Sequence, residues 1–211
     1  MKNKVTTILL LFVFAAGLFL ILYPLVSNYV NSKTQSQAIT AYGAALAKTK
    51  SEECTRFFAE ADAYNRKLRL LSFPFSDFDQ LEGYDRLLCL ENTNVMARIS
   101  IEKIDVDLPV YHGSADATLS RGAGHLQGSS LPVGGAGTHA VLTAHRGLPS
   151  TRLFSDLNQL EIGDIFQITV LDRKLSYQVN QVLTVEADDL DLLRIYEGKD
   201  YCTLFTCTPY G

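Results

Sequence analysis

Thr203-Leu204-Phe205-Thr206-Cys207 lies four residues before the last residue of the chain, Gly211. At strand spacing Leu204 and Thr206 face one way and Thr203, Phe205 and Cys207 the other, so a buried strand delivers a cysteine to its end. Upstream, His139-Ala140-Val141-Leu142-Thr143-Ala144-His145 reads as a second apolar strand, and it ends on a histidine followed by the turn-forming pair Arg146-Gly147. A cysteine and a histidine that each close an apolar strand can meet at one edge of a sheet. There they make a thiol nucleophile with a cationic or basic partner. His139 shares the His145 face but lies about 20 Å away along the strand, too far to substitute for it. His112 ends another strand and His125 lies in a glycine-rich stretch, and neither is given a catalytic role.

The 211 residues allow one domain plus appendages, with room for a self-sufficient core. A net charge of −4 gives no strong attraction to nucleic acid. Cys54, Cys89, Cys202 and Cys207 fit neither a paired CxxC metal pattern nor a dense disulfide framework, so three of them read as packed or half-exposed thiols. Val5 to Val26 holds 22 residues without a charge, long enough to cross a bilayer as a helix. Lys2 and Lys4 precede it, which favours a cytoplasmic N-terminus and a single pass with the remainder outside. A cleaved signal peptide is the alternative; the long apolar run and the lack of a clear small-x-small site favour an uncleaved anchor.

After the anchor (1–27), residues 28–71 carry apolar positions at helical spacing, among them Ala41, Ala44, Ala45, Phe57, Phe58, Ala61 and Leu68. One or two amphipathic helices are expected there, as a stalk between membrane and domain. An aromatic, acidic and irregular stretch follows at 72–84. From 85 to 211 strands dominate: Val95–Ile101, Val106–Tyr111, Thr138–His145, a hairpin of Asp164–Leu171 and Leu175–Val185, and the Cys207 strand. Between them lie a loop with six glycines over Gly122 to Gly137, a short helix expected over Pro149–Leu157, and an acidic turn over Asp188–Tyr196. Many short strands with few helices predict a mainly β barrel or sandwich.

The Thr203–Cys207 run, with an upstream strand ending in histidine, resembles the sortase transpeptidases. Gly122-Ala-Gly-His-Leu-Gln-Gly-Ser-Ser-Leu-Pro-Val-Gly-Gly135, Leu142-Thr-Ala-His-Arg-Gly-Leu-Pro149, Arg152-Leu-Phe-Ser-Asp-Leu157 and Cys207-Thr-Pro-Tyr210 resemble class C sortases, the pilin polymerases of Gram-positive bacteria. The resemblance implies a closed eight-stranded sortase-type β-barrel, behind an N-terminal helical segment and a transmembrane helix. Cys207 is implied as the nucleophile that attacks the Thr–Gly bond of an LPXTG-type sorting signal and forms a thioacyl-enzyme. A pilin lysine amine then resolves the thioester, and His145 handles the protons. The implied partners are LPXTG-bearing pilin subunits and the membrane, with no nucleic acid, metal or cofactor.

Two positions depart from the family pattern. Sortases place an arginine on the strand after the cysteine, a position beyond Gly211, so no catalytic arginine is assigned and the barrel is expected to lack its last strand. Class C enzymes cover the site with a loop bearing Asp-Pro-aromatic. Here Ser76-Asp77-Phe78 lacks the proline, and Asp77 and Phe78 are the lid pair expected, with Phe75 and Asp79 possible instead. An aromatic linker packed on the domain remains the plain alternative for this stretch. Two other functions stay open: a housekeeping sortase, and an impaired sortase that holds sorting signals without cutting them.

Overall fold

The computed structural model describes residues 2–91, 93–186 and 189–208. Helix α1 (Lys2–Leu46) runs unbroken from the apolar N-terminal stretch into the domain. The side chains of Val5 to Val26 are largely exposed, and Pro24 does not end the helix. Helix α2 (Ser51–Leu68) buries Cys54, Phe58, Ala61, Tyr64 and Leu68 along one face and starts with Glu52 and Glu53 at the positive end of its dipole. The stretch expected as a stalk therefore contributes an apolar face to the domain core. The turns α3 (Pro74–Asp77) and Phe78–Gln80 follow.

Seven strands form one sheet: β1 (Val95–Ile101), β2 (Val106–His112), β3 (Ala123–His125), β4 (Thr138–Thr143), β5 (Ile165–Val170), β6 (Arg173–Gln178) and β7 (Asp200–Phe205). Their order is β6-β5-β1-β2-β3-β4-β7, with β2/β3 and β4/β7 parallel and the other pairs antiparallel. The sheet curls into a nearly closed barrel whose end strands meet through side chains: Tyr177 on β6 donates to the Asp200 carboxylate on β7 at 2.9 Å. Ile99, Ile101, Val110, Leu142, Ile168 and Val170 fill the interior. The eight strands implied by the family are seven among the described residues.

All six residues of β4 are buried, as expected of a strand covered on both faces. The glycine-rich segment completes its hydrogen bonding. Ser129 Oγ accepts Val141 N–H at 3.1 Å and Ser130 Oγ accepts His139 N–H at 3.0 Å. Part of that segment is β3, a strand that composition hides. A Cβ on Gly124 would collide with the Gly113 carbonyl, so a side chain there would break the β2/β3 pairing.

Four expected elements differ. No helix forms over Pro149–Leu157; the segment is turns plus a short 3-10 stretch (Leu157–Gln159), with Leu153 at φ +40°. Its backbone groups bond outward instead. Ser150 O accepts Asn31 Nδ2 at 2.8 Å and Arg152 N–H is held by Asn28 Oδ1 at 3.1 Å, both from α1. The second hairpin strand stops at Gln178 rather than Val185, because pairing with β5 ends there. The Thr138 strand ends at Thr143 and the Cys207 strand at Phe205, two residues short of His145 and of Cys207. The acidic turn appears at Asp191–Leu193, while Asp188, like Pro209, Tyr210 and Gly211 of the C-terminal block, lies outside the described residues.

Candidate active site

Parallel strands end at the same edge of a sheet, and this decides where the candidate residues lie. β4 and β7 run in register from Thr138↔Asp200 to Thr143↔Phe205. The alignment continues past the ladder, with Ala144 N–H donating to Phe205 O at 3.3 Å and Thr206 Oγ donating to Ala144 O at 2.8 Å. The next residue on each chain is His145 and Cys207. Carried one pair further, the same register would set them opposite each other, at about 5 Å by ordinary strand spacing. Cys207 is exposed and His145 half-buried. No hydrogen bond joins the thiol to the ring, a looseness common before substrate arrives.

The loop after His145 is compact. Phe154, fully buried, donates its N–H to His145 O at 3.1 Å, and Ser155 Oγ accepts Gly147 N–H at 3.1 Å. Gly147 sits at φ +80°, a left-handed conformation that suits glycine, so the chain turns sharply behind Arg146. Arg146 reaches back over the site edge, Nη1 to Thr208 Oγ at 3.5 Å.

The other histidines are committed elsewhere. His139 donates from Nδ1 to Arg194 O at 2.8 Å and accepts Thr203 Oγ–H at Nε2 at 2.7 Å, and burial lowers its pKa. It ties β4 to β7 and to the preceding loop as a neutral ring. His125, expected in a loop, closes β3 inside the core. Its Nε2–H donates to Ser130 O at 2.8 Å, so Nδ1 accepts from Tyr84 Oη at 2.9 Å; burial takes its pKa down to about 4.

A second thiol–imidazole pair escaped sequence reasoning, since nothing in the spacing joins Cys89 to His112. Their Sγ and Nδ1 lie 3.9 Å apart in a cleft of about 240 Å³ that also includes Asp85 and Arg121. Burial raises the thiol pKa and lowers that of the imidazole, which keeps both neutral. Cys54 and Cys202 are likewise pushed up by burial. Cys207 is the exposed cysteine among the four, and exposure is what a nucleophilic thiol requires.

Asp77 and Phe78 are half-buried on the helical turns after Pro74. The turns rest on the glycine-rich loop, where a Cβ on Gly128 would meet Phe75 Cα at 2.9 Å. The Asp77 carboxylate accepts Phe73 N–H at 3.3 Å, and no hydrogen bond or ring contact joins either residue to His145 or Cys207 among the described residues.

Comparison with known proteins converges on one family. A model described as the Sortase domain matches residues 99–211. Sortase C1 from Streptococcus agalactiae superposes with a TM-score of 0.74 at 41% identity, covering 83% of this chain and 91% of that one. Sortase C from Streptococcus pneumoniae, whose structure is described as bearing on catalysis and pilin substrate specificity, gives 0.73 at 39% identity over 82% and 88%. Sortase A of Bacillus anthracis is 26% identical over 206 residues, 98% of this chain and 88% of that protein.

Proposed function

The chain belongs to the sortase family of cysteine transpeptidases, and on that premise we propose that it is a class C enzyme that joins pilins through Cys207 and His145. The parallel β4/β7 register supports the reading, because its continuation past Thr143 and Phe205 leads the chain to His145 on one strand and to the exposed Cys207 on the other. The 41% identity to a sortase C1 supports the class.

The Cys207 thiolate attacks the threonine carbonyl carbon of an LPXTG-type signal, forming a C–S bond and a tetrahedral oxyanion. Collapse breaks the Thr–Gly C–N bond, and the imidazolium of His145 gives its proton to the departing amine. A pilin lysine amine then attacks the thioester, His145 takes a proton from it, and the cysteine thiolate leaves as the isopeptide forms. Proton transfer of this kind is worth about 10²–10⁴-fold. Asp77 and Phe78 serve as the lid pair in this reading.

Helix α1 is the membrane anchor, with its N-terminus cytoplasmic and the domain on the outer face. Its continuity supports retention over cleavage: the helix that starts in the apolar run ends with Tyr42 in the core.

Intact mass after incubating the membrane-embedded protein with an LPXTG peptide tests the proposal. A thioacyl adduct that disappears in Cys207→Ala supports it, and an adduct retained in that variant refutes it. Transfer to a pilin lysine over a cell-wall amine distinguishes the pilin class from a housekeeping sortase.

A further inference from the structure

We propose that the first turns of α1 beyond its apolar run form a strut that positions the His145 loop, with Asn28, Asn31 and Gln35 as positioning residues. The inference builds on His145 acting as the acid–base group above.

These three side chains stand at i, i+3 and i+7, on one face of the helix. Each meets one residue of a three-residue stretch of the loop. Asn28 Oδ1 accepts Arg152 N–H at 3.1 Å, Asn31 Nδ2 donates to Ser150 O at 2.8 Å, and Gln35 Nε2 donates to Thr151 Oγ at 3.4 Å. Gln35 and Thr151 are both buried. The stripe that faces the domain begins within the apolar run, since Pro24, Asn28 and Asn31 are partly covered while Leu25, Val26, Tyr29 and Val30 are exposed.

The same loop returns to the site. Phe154 N–H caps His145 O, and Ser155 Oγ takes Gly147 N–H. Ser150 to Arg152 have no regular ladder of their own, so the asparagines supply partners that a helix or strand would otherwise give. Held at 150–152 by α1 and at 154–155 by its own turn, the loop has little freedom to swing His145 away from Cys207.

The strut also sets height. Asn28 lies two residues past Val26, or about 3 Å of helix rise, and Asn31 about 7.5 Å past it. The headgroup layer is about 5–8 Å deep on each side of the hydrocarbon. An anchored α1 therefore puts Ser150–Arg152 at headgroup level, and the thioester chemistry happens at the membrane face rather than on a stalk.

The direction of each hydrogen bond provides the test. Asn28 is an acceptor to a backbone N–H and Asn31 a donor to a backbone carbonyl, so aspartate suits the first site and opposes the second. The full-length protein in nanodiscs would be compared with Asn28→Asp, Asn28→Ala, Asn31→Asp and Asn31→Ala. Amide exchange over 148–156 and steady-state turnover of an LPXTG peptide would be measured on each. Asn28→Asp should keep wild-type exchange and turnover. The other three should speed exchange at least about tenfold and lower kcat about tenfold with KM nearly unchanged, the mark of a misplaced acid–base group. Faster exchange with unchanged kcat, or equal behaviour of the two aspartate variants, would overturn the proposal. A wild-type protein that never turns over the peptide would count against the sortase chemistry, while the exchange pattern would still decide for or against the strut.

Discussion

At the scale of single residues, the four cysteines separate by environment. Burial raises the thiol pKa of Cys54, Cys89 and Cys202, whereas Cys207 is exposed two residues past the end of β7. Brief alkylation of the native protein should therefore add one label, lost in Cys207→Ser; intact mass reads the count directly. His145→Ala should lower peptide turnover about 10²–10⁴-fold while leaving folding intact, since its half-buried ring makes no hydrogen bond among the described residues. His125 is the opposite case, a ring used for structure. Its folded pKa, about 4, lies below the ordinary value of 6.5. Between those values the unfolded chain binds a proton that the folded one refuses. Stability is therefore complete above about pH 6.5 and falls as pH drops toward 4, by up to about 3 kcal/mol. His112 and His139, also lowered by burial, act in the same direction. Urea unfolding at pH 7.5 and pH 4.5 measures the loss, and His125→Asn should reduce it, leaving the part due to His112 and His139.

At the scale of elements, single polar side chains fasten segments that hydrophobic pattern alone would leave loose. Asn65, buried on α2, grips Leu131 from both sides: its Oδ1 accepts Leu131 N–H at 2.8 Å and its Nδ2 donates to Leu131 O at 3.2 Å. Asn65→Ala strands both backbone groups, at about 1–3 kcal/mol each, and thermal unfolding should show it. Tyr42 does the same for α1. Its hydroxyl accepts Leu171 N–H at 2.7 Å and donates to Met96 O at 3.3 Å, and burial pushes its pKa up to about 12. Sequence periodicity shows α2 as amphipathic, but it says nothing of where Asn65 or Tyr42 finds a partner. It likewise predicts a helix over Pro149–Leu157, where the contacts from Asn28 and Asn31 win over local propensity.

At the scale of the whole molecule, α1 belongs to two environments. From Val5 to Tyr23 the large apolar side chains are exposed, and Tyr42 is part of the core. Removing residues 1–23 should leave the unfolding temperature within about 2 °C of the full chain. Removing 1–46 deletes Tyr42 and should cost at least about 3–5 kcal/mol, as a buried aromatic vacates its site. Calorimetry on the two truncations tests this, and an equal effect of both would mean that Tyr42 does not couple helix and barrel.

Local spacing alone was enough for β1, β2, β5, the apolar helix, and the histidine and cysteine that stand two residues past the ends of β4 and β7, but it missed β3 and overran β4 and β6. Those features are written in local spacing: β1 begins and ends where alternation places it, and Cys207 and His145 stand at the ends of apolar runs. That β4 and β7 are parallel neighbours, paired from Thr138↔Asp200 to Thr143↔Phe205 in a register whose continuation leads to His145 and Cys207, came only with the tertiary structure. It also turned His139 and His125 into structural rings and set α1 against the histidine loop. Pairing partner, register and burial depend on residues far apart in the chain, and periodicity, which reports only on neighbours, does not contain them.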